Sequence, residues 1–193
     1  MRRRTFDFLV STGGLVMAVV LFIAGALLFA GYSFANNNVT TQLTAQKIFF
    51  PEKGSDSLAS PEIGPYLNQY AGQQMVNGAQ AEAYANHFIA VHLSEVAGGK
   101  TYAEVSGELF ADPTNKDLIA AKDTLFRGET LRGMLLNAYA FWKVGQIAKL
   151  ASIAAFALGG LMLLLSLLGL WHLRKVSPVA EVLAPPVELK ATA

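Results

Sequence analysis

Two histidines, His87 and His92, form the one grouping in the chain that suggests a metal, with Glu82 and Glu95 close by. Helical zinc sites place two histidines at i,i+4, about 40° apart around the helix axis. Here the spacing is i,i+5, which separates the rings by about 140°, so one regular helix cannot aim both at a single ion. His172 lies far along the chain. All three read as structural or surface histidines, and no metal or cofactor is expected.

The acids give no better pair. Glu104 follows Thr101 by three residues, the spacing of a capping box, and Glu108 and Asp112 read as solvated charges near a helix end. Gly98-Gly99-Lys100-Thr101 ends like a phosphate-binding loop, but the earlier glycine of GxxxxGK is missing and no strand pattern precedes it. Neither a GxSxG elbow nor a GxGxxG fingerprint occurs. The chain has no cysteine, which excludes disulfides, a thiolate nucleophile and Cys-ligated metal. The expectation is a protein that is not an enzyme.

The most informative stretch is residues 124–142, TLFRGETLRGMLLNAYAFW. It holds Arg127-Gly128 and Arg132-Gly133, then an apolar set of Met134, Leu135, Ala138 and Phe141. Tyr139 and Trp142 suit a membrane–water boundary, where such rings are favoured. One reading makes this a seam that packs a domain onto the first long helix, with Arg127 and Arg132 pairing local acids or lipid phosphate. The other makes it a docking surface for a partner, carried by Arg127, Arg132, Met134, Leu135, Tyr139 and Trp142.

The elements that would position these residues follow from hydropathy. The 193 residues are 53% hydrophobic and only 15% charged, against about 25% charged in a soluble domain. Two uncharged runs account for the deficit, residues 8–34 and 151–171. About 20 apolar residues in a helix cross a bilayer core, so both predict transmembrane helices, the first with length to spare. A cleaved signal peptide has an apolar region of about 7–15 residues, so the first run predicts an uncleaved anchor. Arg2, Arg3 and Arg4 precede it, and Arg174 and Lys175 follow the second, which places both termini in the cytoplasm. Neither span holds a charge, so a transporter or pump is not expected. Small residues four apart (Gly14 and Ala18, Ala26 and Ala30, Ala155 and Gly159) predict close packing of the two spans.

Between the spans the chain predicts only helices. Residues 36–50 continue the first helix until Pro51 stops it; residues 51–65 read as a loop and 66–77 are ambiguous. Residues 79–96 carry Ala81, Tyr84, Ala85, Phe88 and Val91 on one face and end at Gly98-Gly99. A short helix follows Thr101. The last begins after Thr114 or Asn115, with Asp123 and Arg127 paired at i,i+4 and a kink expected near Gly128. The segment 36–142 has 7 basic and 11 acidic residues, an acidic domain between basic ends. Net charge is +1, and nothing points to nucleic acid.

The expected organisation is a cytoplasmic N-terminus (1–7), a first span (8–34), an exported helical domain with stalk extensions of both membrane helices (35–150), a second span (151–173) and a disordered cytoplasmic tail (174–193). In fold class this is all-α, two transmembrane helices flanking an exported helical domain in the plasma membrane. Residues 83–91, GGKTYAEVS (98–106) and LFRGETLRGMLLNAYAFW (125–142) resemble an uncharacterised actinobacterial two-span membrane protein family. The resemblance implies a two-span envelope protein with no established activity. Some members carry an aromatic ring-opening dioxygenase label, which would need an iron site of histidine and carboxylate ligands; His87 and His92 do not supply one. The favoured function is a non-catalytic accessory subunit or assembly factor of a cell-envelope complex, with the lipid bilayer and another membrane or envelope protein as partners and self-association open. The alternative is a lipid- or small-ligand-binding module walled by Tyr84, Phe88, Leu135 and Tyr139. A metal-dependent enzyme using His87 and His92 comes last.

Overall fold

The computed structural model describes residues 1–177 and 180–182. Among these the chain is all-α, and the β pairing is confined to two isolated antiparallel bridges, Arg2 with Glu181 and Phe49 with Gln74. Two helices dominate: α1, Arg3–Gln46, and α7, Lys116–Leu173. Both are long and apolar enough to cross a membrane, with windows of mean hydropathy 2.5 and 2.4. Between them lie α2 (Asp56–Ala59), α3 (Gly64–Leu67), a 3-10 turn (Asn68–Tyr70), α4 (Gly78–Tyr84), a π turn (Ala85–Ile89), α5 (Ala90–Val96) and α6 (Tyr102–Ala111). The expectation of a disordered tail falls largely on residues outside the described ones. Ala180 and Val182 instead bond the chain start: Arg3 N–H donates to the Ala180 carbonyl at 2.9 Å and Val182 N–H to the Met1 carbonyl at 3.2 Å.

The chain divides into two compact units, Met1–Ala30 with Ala148–Ala193, and Gly31–Ile147. In the first, α1 and α7 meet along a seam of small residues. Ala18 and Ala155 are buried, as are Ser11, Ser152 and Ser166. The seam sets hydroxyl against glycine: a Cβ on Gly14 would run into Ser166 Oγ, and one on Gly169 into Ser11 Oγ. Ser152 Oγ donates to the Gly25 carbonyl at 2.8 Å, satisfying a hydroxyl that burial would otherwise strand. On α7 these contacts recur at 152, 155, 159, 166 and 169, the alternating three–four step that keeps one helix face on its partner. Gly14, Ala18, Ala155 and Gly159 lie on the seam as expected. Ala26 and Ala30 do not; both are exposed, and Gly25 takes the contact. Large apolar side chains such as Val16, Ile23, Leu161 and Leu168 point outward.

The second unit is built the other way round. Leu43, Phe50, Leu58, Leu67, Met75, Val105, Leu125 and Leu135 are buried together. The segment after α1 is held by a backbone clasp, in which Phe50 N–H donates to the Gln73 carbonyl and Met75 N–H to the Ile48 carbonyl, both at 2.9 Å. The stop that begins it is Lys47, in the left-handed region at φ 53, rather than Pro51. The span expected as loop folds into α2 and α3 because Leu58, Ile63 and Leu67 have a core to enter.

Both predicted caps form. Thr101 Oγ1 accepts from Glu104 N–H at 3.3 Å while the Glu104 carboxylate accepts from Thr101 N–H at 2.7 Å. Asn115 Oδ1 accepts from Leu118 N–H at 3.2 Å at the start of α7. A second box, Asn77 with Gln80, starts α4. No break occurs at Gly128: α7 runs through it as one helix, and the glycine serves close approach, since a Cβ there would meet the Leu93 methyls.

Candidate interaction surface

Within the second unit, α7 presents its inner face to the helical stretch α4–α5. That stretch buries Ala81, Ala85, Ile89 and Leu93, four residues apart each time. In a regular α-helix such a ladder drifts about 40° per step and would turn its last members out of the core. The π turn removes the drift by widening one turn, with Ala90 N–H bonding the Ala85 carbonyl five residues back. The same turn sets Asn86 between Glu82 and Arg132: Asn86 Nδ2 donates to Glu82 Oε1 at 3.0 Å, and Arg132 Nη2 donates to Asn86 Oδ1 at 3.3 Å.

The six residues singled out on α7 do not share one face. Leu135 is buried in the core. Arg132 is two-thirds covered, with Nη1 3.3 Å from Glu129 Oε2 besides its bond to Asn86. Trp142 lies over the first residue of α4, where a Cβ on Gly78 would come within 2.5 Å of Trp142 Cβ, and Tyr139 lies beside Trp142 with ring centroids 6.3 Å apart. Arg127 and Met134 point outward, Arg127 paired with Asp123 at 2.9 Å and Met134 68% exposed. Arg132 and Trp142 thus pack on the π turn and α4 rather than on the first long helix, while both arginines pair local acids and Met134 is exposed.

Beside Met134 runs a cavity of about 400 Å³ between α1 and α7. One wall is Asn38, Gln42 and Gln46, the other Met134, Leu135, Asn137, Ala138 and Phe141. The amides stand at i, i+4 and i+8, one stripe of the helix, and carry no charge. This wall was not singled out from sequence, although its four-residue spacing in an uncharged stretch was there to be read. Tyr84, Phe88 and Tyr139, expected to wall a ligand pocket with Leu135, are not part of it.

Tyr84 and Phe88 belong to an aromatic ladder instead. Ring centroids lie 5.1 Å apart for Tyr70–Phe50, 5.4 Å for Phe50–Tyr84, 4.6 Å for Tyr84–Phe88 and 4.4 Å for Phe88–His92. Burial pushes the Tyr84 hydroxyl above its ordinary value. His87 stacks on Tyr66 at 3.5 Å, and His92 Nδ1 lies 2.7 Å from the Phe88 carbonyl. The two imidazoles thus have separate partners. Among the described residues no three His, Cys, Asp or Glu gather where they could hold an ion.

Comparison with family models, with curated proteins and with solved structures gives no match.

Proposed function

We propose that this chain is an integral membrane protein whose two spans lie in α1 and α7, with both termini cytoplasmic and residues 35–150 forming an extracytoplasmic, non-catalytic docking domain. The observation that carries the membrane reading is the outward face of the first unit. Only 11% and 17% of the two most apolar windows are buried, whereas a core helix of a soluble protein hides most of its apolar surface. Arg2, Arg3 and Arg4 at one end of α1, and Arg174 and Lys175 after α7, support the orientation. The resemblance to a two-span envelope family agrees with it.

The docking role rests on the groove between Asn38, Gln42 and Gln46 and the α7 wall. Its occupant is a helix of another membrane protein. Neutral amides can hydrogen-bond across helices without the desolvation cost of a charge, and Met134 and Phe141 give the apolar remainder. The function is then that of an accessory subunit or assembly factor.

Purification from native membranes in mild detergent tests both parts. The chain stays with membranes through alkaline extraction, and a stoichiometric partner co-purifies. Met134→Asp and Gln42→Leu each reduce that partner severalfold without changing the yield of the chain. Retention of every partner at wild-type levels by both variants would falsify the docking surface. Release of the chain by alkaline wash would remove the membrane reading with it.

A further inference from the structure

The first unit contains a cleft that no part of the docking role uses. It holds about 450 Å³, in the range of small-ligand sites, and lies between the start of α1 and the end of α7. Gly14 and Gly169 lie in its lining, each packed so closely that an added Cβ would run into Ser166 or Ser11. Phe6, Val10, Met162 and Leu165 make most of the lining apolar. The polar lining is Asp7, Ser11, Ser166 and His172.

Asp7 is the unusual member. It is the only acid before Glu52 and stands in a segment that carries Arg2, Arg3 and Arg4. Its Oδ2 is shielded from solvent and accepts no hydrogen bond from the described residues. Arg3 Nε comes no closer than 4.0 Å, beyond hydrogen-bond range. A buried carboxylate oxygen without a donor is costly, and an N–H donor from outside would relieve it. The chain on either side of the cleft's mouth is basic, with Arg174 and Lys175 following His172. The arrangement is therefore an acceptor inside, cations around it and an apolar trough alongside.

We infer that this cleft binds an aminophospholipid of the phosphatidylethanolamine type, its ammonium donating to Asp7, its phosphate among the flanking arginines and an acyl chain along the trough. This rests on the membrane reading of α1 and α7. Choline lipids bear the same charge but have no N–H to give, so they are the discriminating competitor. Glycerol headgroups match only the basic rim.

The test is native mass spectrometry of the full chain in mild detergent, with equimolar phosphatidylethanolamine, phosphatidylcholine and phosphatidylglycerol. Phosphatidylethanolamine is retained on the order of tenfold over phosphatidylcholine, the difference one charge-assisted hydrogen bond makes. Asp7→Asn brings the ratio close to one, and Asp7→Glu restores most of it. Equal retention of ethanolamine and choline lipids, a preference for phosphatidylglycerol, or a ratio unmoved by Asp7→Asn each overturns the site. All three are to be read on a chain that has first passed the alkaline extraction, so they leave the membrane reading intact. Loss of that resistance is the separate failure of the membrane reading.

Discussion

The same two helices build two interiors of opposite character. In Met1–Ala30 with Ala148–Ala193 the buried side chains are Ser11, Ala18, Ser152, Ala155 and Ser166, and the large apolar ones face out. In Gly31–Ile147 the buried ones include Leu43, Leu67, Met75, Leu125 and Leu135, and most of the charged residues are exposed. The contrast is what two different solvents would select. Where the surroundings are apolar, moving leucine inward gains nothing, and association relies on close backbone approach and hydroxyl bonds. Where the surroundings are water, burial of large side chains supplies the drive and small residues contribute little.

The comparison can be broken most forcefully at Leu135. Truncation to alanine should cost about 2–5 kcal/mol in the second unit, with a cavity left in the core that Leu135 shares with Leu43 and Met75. Amides of α4 and α6 would then exchange faster in the full chain, while those of 11–25 and 152–169 keep their protection. Exchange that rose equally in both units would mean that they do not differ as described.

Arg132 and Arg127 sharpen the comparison within one helix. Arg132→Ala removes bonds to Asn86 and Glu129 and should cost about 1.5–3 kcal/mol. Arg127→Ala breaks only an exposed pair and should cost no more than about 1 kcal/mol. Denaturant midpoints measured in one detergent check the order, and equal shifts would refute the inward placement of Arg132.

Gly14→Leu probes the first unit. It drives a side chain into Ser166, and overpacking of this kind costs about 1–3 kcal/mol. Gly13→Leu, with nothing within 4 Å, is its neutral counterpart. Disulfide trapping between cysteines placed at Ala18 and Gly159 should fall for the first variant and hold for the second.

The smallest effect concerns pH. The Glu104 carboxyl sits below its usual value because Thr101 N–H, first, and then the Thr101 hydroxyl bond its charged form. A lowered folded pKa means this support is present above the ordinary carboxylate range and is lost as pH falls through the folded value. Amides at the start of α6 should therefore exchange faster on acidification. Glu104→Gln, which preserves the box without the charge, should abolish that dependence.

The parts legible in the sequence were those set by neighbours close along the chain. The charge-free runs, the Thr101–Glu104 box, the Asn115 cap and the Gly98-Gly99 terminus, with φ 62 and 84, are all local devices. What escaped depends on partners far away. Gly128 looks like a break until Leu93 is placed against it. Ala26 and Gly25 are adjacent small residues, and only the position of Phe156 and Ser152 decides which one meets α7. Arg127 and Arg132 share a Gly neighbour and a nearby acid, yet only Arg132 has Asn86 to turn toward. Lys47 gave no warning, because a lysine in the left-handed region is selected by the clasp that follows, not by its own preference.

The π turn at Ala85–Ile89 also bears on how this chain can change length over generations. It is a helix carrying one residue more than its geometry requires. A lineage that lost a single codon between Tyr84 and Ala90 would regain a regular helix, keeping Leu93 within one helical step of its present face. What such a lineage would forfeit is the placement of Asn86 opposite Arg132. The segment can thus record an insertion that was kept, and the Asn86–Arg132 bond is the reason it would be missed if it were lost.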